Sequence, residues 1–342
     1  MNKKVGFGLI GVGAISKIHS LALAKSEFCE LAAAYDLNAE RVEAFAKEHD
    51  CSGYSDIDAF LSDGNVQAVI IATPSGYHLD PALKAIRAGK HVLIEKPLEI
   101  TTERCDLLIS EAKANKVKLG GIFQSRFYDV PQLIKKALDN GRFGKLVMIE
   151  ASVKWFRSQA YYDSGAWRGT WSVDGGGALM NQSIHAVDLL SWFGGPVKEI
   201  NAMASLIAHE NIEVEDTAVA IMKFENGGYG VLEGATSIYP GFSKRIEICG
   251  TKGSAIMEED SLVEWKFENE SEEDLRIREK YISASSSGGA ADPLAINYEG
   301  HMFQFEDFAK AILDDGKPLV DGEEAAKAVD IINRIYVSAG LR

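Results

Sequence analysis

The stretch Val5-Gly6-Phe7-Gly8-Leu9-Ile10-Gly11-Val12-Gly13-Ala14-Ile15-Ser16 decides the fold. Val5 to Ile10 is a short apolar run. Directly behind the glycines, Ile15, Ile18, Leu21 and Ala22 fall at helical spacing within a helix expected over Ala14–Lys25. Strand, Gly-x-Gly, helix approximates the dinucleotide fingerprint G-x-G-x-x-G, with Ser16 where the third glycine would stand. Gly11 permits the tight turn and Gly13 lets backbone approach a pyrophosphate. Ala14 and Ile15 open the helix whose N-terminus attracts that charge. Two lysines before an apolar run also imitate a signal peptide, but the run is short, glycine-rich and continuous with an amphipathic helix.

Downstream the pattern repeats. Strands are expected at Leu31–Tyr35, Ala68–Ala72, His91–Ile94 and Val117–Ile122, separated by helices at Ala39–His49, Leu79–Ala88 and Thr101–Ala114. Continuous apolar strands alternating with helices mark a parallel sheet covered on both faces. A doubly wound domain over residues 1–123 follows. Beyond it the character changes: helices at Val130–Asn140 and Ala178–Phe193, and long alternating strands from Lys145–Trp155 and from Val197 to Lys266. Asn226-Gly227-Gly228 turns a hairpin among them. Residues 124–342 are expected as an α+β domain with a large, mostly antiparallel sheet. Ser285–Pro293 reads as a flexible loop. Two final helices carry core stripes at Phe305, Phe308, Ala309 and Ile312, then at Ala325, Val329, Ile332 and Tyr336.

Composition narrows the partners. The net charge is -14, which disfavours nucleic acid and anionic membrane surfaces. No apolar stretch is long enough to span a bilayer. Four cysteines without a CxxC pair argue against a disulfide framework or structural zinc and for reduced thiols, so a cytoplasmic location is expected.

Three constellations carry chemistry. The second strand ends in Asp36, placed to accept from the adenosine ribose and to repel a 2′-phosphate, which favours NAD over NADP. Arg41 follows and could stack on adenine or meet a phosphate, while Asp36 could instead serve as a helix cap. Thr73-Pro74-Ser75-Gly76-Tyr77-His78 and Glu95-Lys96-Pro97 stand at the carboxyl ends of parallel strands, where open α/β sheets hold ligands. Lys96 there can donate to a substrate hydroxyl. The third stretch runs from Asp174-Gly175-Gly176-Gly177 through Asn181 and His185 to Asp188. The i, i+4 and i, i+3 spacings put Asn181, His185 and Asp188 on one helix face, with His185 a proton acceptor for alcohol oxidation. Asn is a poor transition-metal ligand, so no metal is expected there.

The combination GVGAIS…H at Gly11–His19, Asp36, TPSGYH, GKHVLIEKP and GGGALMNQSIHAVDLL resembles the Gfo/Idh/MocA oxidoreductases, relatives of glucose–fructose oxidoreductase and inositol dehydrogenase, across nearly the whole chain. The resemblance implies a Rossmann domain followed by an open-faced sheet, NAD(P), sugar or cyclitol substrates, and a homodimer or homotetramer. By matched position it implies Lys96 and His185 as catalytic, and Gly11, Gly13, Asp36, Thr73, Pro74, His78 and Glu95 as cofactor-lining. Many members have Asp where this chain has Asn181, and Asn cannot stabilise an imidazolium by charge. Asp188 or Lys96 would then have to set the imidazole. The run YYDSGAWRGTW with DGGGALMNQSIH is similar to nucleotide-sugar 3-dehydrogenases acting on UDP-linked N-acetylaminosugar uronates. On that likeness Arg126, Arg157 and Arg168 would bind substrate carboxylate or phosphate. The expected activity is hydride transfer between a secondary alcohol of a sugar and NAD. The same resemblance leaves open NAD-assisted glycoside hydrolysis and a non-catalytic sugar sensor.

Overall fold

The computed structural model describes residues 4–282 and 297–342, so the expected Ser285–Pro293 loop lies outside the described residues. Two compact units emerge. The first holds described residues 4–124 and 297–329, the second 125–282 and 330–342.

The first unit is a six-stranded, all-parallel sheet in the order β3-β2-β1-β4-β5-β6. Its strands are β1 (Val5–Ile10), β2 (Cys29–Tyr35), β3 (Ser52–Tyr54), β4 (Ala68–Ile71), β5 (His91–Ile94) and β6 (Leu119–Gly121). Every residue of β1 and β4 is buried, which explains why these strands read as unbroken apolar runs rather than alternating ones. The strand order reverses direction between β1 and β4, so the Gly11 turn and the Thr73 turn leave the sheet side by side, at its topological switch point. The three-residue β3 carries no apolar run and was not among the expected strands.

The expected boundary gave everything after residue 123 to the second domain. The structure returns 297–329 to the first unit, because helix Tyr298–Leu313 completes that unit's core. Phe305, Phe308 and Ala309 join Val5, Phe7, Leu9 and Leu93 in one buried cluster, and the Phe7 and Phe305 rings stack with centroids 6.2 Å apart. Gln304 fixes the register: its side chain accepts from Phe123 N at 3.0 Å and donates to Gly121 O at 2.7 Å. These two backbone groups sit where β6 ends.

The second unit is a seven-stranded sheet in the order β13-β12-β11-β7-β10-β9-β8. The strands are β7 (Leu146–Lys154), β8 (Val197–Ser205), β9 (Thr217–Phe224), β10 (Tyr229–Ala235), β11 (Arg245–Gly250), β12 (Gly253–Glu258) and β13 (Ser261–Phe267). Neighbours are antiparallel except β10 on β7, which pair in parallel. Along β9, Ala218, Ala220, Met222 and Phe224 are buried and alternate with exposed Val219 and Ile221, the period-2 pattern of a half-buried sheet. Helix Ile184–Gly194 packs on β7 and β10. Among the described residues no helix is long and apolar enough to cross a membrane.

Replacing Gln304 with Leu keeps the volume but strips two buried backbone groups of their partners. We expect a loss of roughly 2–4 kcal/mol, read as a lower urea midpoint at unchanged m-value. Unchanged stability would mean that water satisfies those groups.

Candidate functional site

In the first unit the glycine turn is shaped by close approach. Gly11 has φ of 93°, and a Cβ there would lie 2.9 Å from Ala72 O and 3.2 Å from Thr73 N. The turn after β4 thus presses on the turn after β1, and only glycine fits. Gly13 is different: among the described residues a Cβ would meet nothing within 4 Å. Packing within the chain does not demand this glycine, which leaves an open approach to its backbone. The helix Ser16–Lys25 that follows has no side-chain cap and no acidic residue in its first turn. Its N-terminal N–H groups and partial positive charge are thereby kept for an anion. These features fit a dinucleotide pyrophosphate.

Asp36 belongs to the same site. Its Oδ2 accepts from Val12 N at 3.1 Å and its Oδ1 from Asn38 N at 2.9 Å. The cap of helix Ala39–His49 is Asn38, which accepts from Arg41 N at 2.9 Å, so capping is not the task of Asp36. Arg41 is largely exposed and stands 3.6 Å from Asp36, a surface pair of small energetic weight.

Of the remaining cofactor-lining candidates, two are interior braces. His78 is 1% exposed and spans two turns, with Nε2 2.9 Å from Thr73 O and Nδ1 3.0 Å from Pro97 O. Burial holds its pKa below the usual value, and a neutral ring donates to only one of the two carbonyls. His78 therefore ties the turn of Thr73 and Pro74 to that of Lys96 and Pro97. Glu95 is buried and faces His19 at 2.8 Å. Lys96 follows it, half-buried, with its amide donating to Glu95 Oε2 at 3.0 Å and a cis peptide to Pro97.

In the second unit the Asp174–Asp188 stretch is built around one buried carboxylate. Glu215 accepts from Gly177 N, Leu179 N and Tyr336 OH, each at 2.9 Å. This explains the glycine run. A Cβ on Gly177 would stand 1.7 Å from Glu215 O, and one on Gly176 2.1 Å from the Tyr336 hydroxyl. The chain then makes a π-helical turn over Ala178–Ser183 before the α-helix Ile184–Gly194. Such turns are common at functional sites because they re-aim side chains. Here the turn carries Asn181 and the helix carries His185, both half-buried.

The site supplies Asn181 with a carboxylate. Asn181 Nδ2 donates to Asp174 Oδ1 at 2.5 Å, and Asp174 is 2% exposed. Asp188, one of the two groups expected to set the imidazole, pairs with Arg126, which grips it through Nε at 2.9 Å and Nη2 at 2.7 Å. Arg126 is only 1% exposed and lies over Trp192 at 5.1 Å. Its expected part in substrate binding gives way to a structural ion pair, which explains a conspicuous arginine after β6.

Arg157 and Arg168 do converge with Asn181. Gln182 Nε2 donates to Asn181 Oδ1 at 2.9 Å and to the Tyr161 hydroxyl at 3.0 Å, while Gln182 Oε1 accepts from Arg157 Nε at 3.1 Å. Arg168 donates to the same Tyr161 hydroxyl at 2.6 Å and stacks over Tyr161 and Trp167, at 4.2 and 4.4 Å. Sequence reasoning did not single out Asp174, Gln182, Tyr161 or Glu215. An acid directly before a glycine run was the one visible signal.

Fold and turn geometry together define an NAD-binding oxidoreductase. The chain belongs to the GFO/IDH/MocA family: residues 5–122 match the oxidoreductase family's NAD-binding Rossmann fold, and residues 132–256 match the GFO/IDH/MocA C-terminal domain. It is 34% identical to the WlbA dehydrogenase of Bordetella pertussis, solved in complex with NADH and UDP-GlcNAcA, with a TM-score of 0.89 over 99% of this chain and 96% of that one. It is 28% identical to the inositol 2-dehydrogenase of Rhizobium meliloti over 74% of this chain and 76% of the relative. Levoglucosan dehydrogenase of Pseudarthrobacter phenanthrenivorans is 27% identical over 96% of this chain and 95% of its own length. The protein is an NAD-dependent oxidoreductase.

Burial pushes the Glu215 carboxyl up to about 7, against the pull of its three donors. The folded state thus holds this proton more tightly than the unfolded chain. The resulting stability is fully present below about 4.5 and is lost as pH rises through about 7. A Glu215→Gln variant cannot titrate. We expect the Tm of wild type relative to this variant to fall between about pH 5 and about pH 8. A constant offset in thermal melts would show that Glu215 keeps one protonation state throughout.

Proposed function

We propose that this enzyme oxidises a secondary alcohol on a nucleotide-linked sugar uronate, with UDP-GlcNAcA as the first substrate to test. The observation that carries this reading is the cluster of Arg157, Gln182, Tyr161 and Arg168 joined to Asn181. Arg168 directs its charge at aromatic faces and a phenol rather than at a carboxylate. A half-buried cation so placed suits an anionic group on a substrate held near Asn181 and His185. The likeness to the WlbA dehydrogenase supports the same class.

In this reading Gly11, Gly13, Ala14, Ile15 and Asp36 hold the dinucleotide, and Thr73 and Pro74 line its nicotinamide end. Asp36 disfavours a 2′-phosphate, which supports NAD over NADP. Bound NAD supplies the hydride acceptor. His185 takes the proton of the substrate hydroxyl, and Lys96 donates to that oxygen, stabilising its alkoxide character as the carbinol becomes a ketone. Asn181 orients the substrate side of the site, held in turn by Asp174 and Gln182.

Two coarser features complete the proposal. The outer face of the second sheet exposes Met203, Val219, Ile221 and Tyr229 as a patch across β8, β9 and β10, which supports a homodimer or homotetramer formed through it. Four free cysteines support a reducing, cytoplasmic setting.

NADH absorbance with NAD and UDP-GlcNAcA, inositol or levoglucosan tests the substrate class. We expect turnover with the first, a fall of at least about a hundredfold in Lys96→Met with NAD affinity retained, and a raised KM for the uronate in Arg168→Met. Turnover confined to the neutral sugars would overturn the uronate assignment, and full activity of Lys96→Met would remove Lys96 from the chemistry. For the assembly, Ile221→Glu should reduce the mass measured by light scattering after size-exclusion chromatography. A monomeric wild type would sink that part.

A further inference from the structure

Three side chains far apart in the chain meet inside the first unit. His19 comes from helix Ser16–Lys25, Glu95 from the end of β5, and His301 from helix Tyr298–Leu313. Their exposures are 0, 8 and 1%. Glu95 Oε1 lies 2.8 Å from His19 Nε2 and 3.8 Å from His301 Nε2, while Oε2 accepts the Lys96 amide at 3.0 Å. The two imidazoles stand 5.4 Å apart, and both meet the Phe305 ring edge-on.

The protonation states follow from this geometry. A ring nitrogen facing a carboxylate carries a proton, so both histidines present Nε2–H to Glu95. Among the described residues the Nδ1 atoms of His19 and His301 are buried with no hydrogen-bond partner, so an N–H at either Nδ1 would go unsatisfied there. Burial keeps His19 below its usual pKa. Burial alone would raise Glu95, but the hydrogen bond from His19 and the nearness of His301 outweigh it and hold the carboxyl well below the usual range. The result is one buried carboxylate set between two buried imidazoles and the amide of Lys96.

The same three residues could be read as a cation site, since their ligand atoms lie within 4.8 Å of one another. Two observations favour hydrogen bonding. Ligating histidines ordinarily donate their other ring N–H to an acceptor, and both Nδ1 atoms here lack one. The 2.8 Å separation of His19 from Glu95 is also an ordinary hydrogen-bond length.

We propose that His19 and His301 are positioning residues that act through Glu95 to set the backbone orientation of Lys96. This rests on reading Lys96 as catalytic. With Oε1 pinned, the carboxylate plane has one orientation, and Oε2 then fixes the peptide from which the Lys96 side chain departs. A helix from the far end of the chain thereby controls the aim of the catalytic lysine without touching cofactor or substrate. Glu95 serves in this scheme as a clamp on the chain itself, not as a wall of the dinucleotide site.

The test uses the full chain labelled with 15N-lysine, where the Lys96 amide signal is identified by its absence in Lys96→Met. Amide exchange is then followed in His19→Leu, His19→Gln, His301→Leu and Glu95→Gln. Glutamine can place an N–H where His19 Nε2 stands, and leucine cannot. We expect Lys96 exchange to quicken by about tenfold or more in His19→Leu and Glu95→Gln, by less in His301→Leu, whose contact is longer, and to stay near wild type in His19→Gln. With UDP-GlcNAcA and NAD, kcat should fall in the same order while KM for NAD stays within about twofold. Wild-type exchange in both His19→Leu and Glu95→Gln overturns the proposal, as does a His19→Gln variant as impaired as His19→Leu. One equivalent of divalent metal in purified wild type, lost in His301→Leu, would also overturn it. The exchange measurement needs no substrate, so the proposal can fail or stand even if UDP-GlcNAcA is not turned over. If His19→Leu does not fold, Glu95→Gln and His301→Leu decide.

Discussion

The second unit depends on a carboxylate taken out of water. Glu215 has lost its hydration, and the three donors that replace it come from Gly177, Leu179 and Tyr336. Burying a charge is tolerated only with such satisfaction. The requirement runs backwards into the sequence: the chain that brings these N–H groups to Glu215 also runs hard against the Glu215 backbone carbonyl and the Tyr336 hydroxyl, hence the glycines at 177 and 176. It also runs forwards. Once the backbone at 177–179 is held, the π-helical turn follows with its phase set, and Asn181 and His185 take their directions from it.

The two units use the same device. In the second, a buried Glu215 holds the turn before His185. In the first, a buried Glu95 accepts the amide of Lys96. Each catalytic candidate is thus one step removed from a carboxylate that bonds backbone rather than substrate. A long or aromatic side chain cannot set its own aim, because its rotatable bonds carry entropy. Fixing its backbone removes part of that freedom before substrate arrives, which is where positioning makes its contribution to rate.

Much of the first sheet was legible in the sequence, because its strands are buried on both faces and are written as apolar runs. Asp36 could be placed at the end of the second strand, but its reading as a helix cap stayed open until Asn38 was seen to take the cap. What stayed hidden depended on partners distant along the chain. His78 and Glu95 stand in motifs that imply cofactor contact, yet their bonds go to Pro97 and His19. Arg126 reads as an anion binder until Asp188 is seen to close on it with two hydrogen bonds. Helix Tyr298–Leu313 shows its apolar stripe plainly, but a stripe does not say which core it fills. The π-helical turn was invisible because apolar spacing at 3.6 residues continues through it.

Asn181 shows how a residue can be read correctly and still mislead. Asn in place of the Asp common among relatives removes a negative charge from the helix face, and the expected compensation was Asp188 or Lys96. The structure adds a carboxylate seven residues earlier: Asp174, buried, accepts from Asn181 at 2.5 Å. Asn181 then presents its carbonyl oxygen to Gln182 and so to the cluster that includes Arg157, Tyr161 and Arg168. An aspartate at 181 would face buried Asp174 across the same distance, and two carboxylates so close disfavour each other's ionisation. The amide and Asp174 therefore form one unit, in which the amide relays the orientation of Asp174 without adding a second carboxylate.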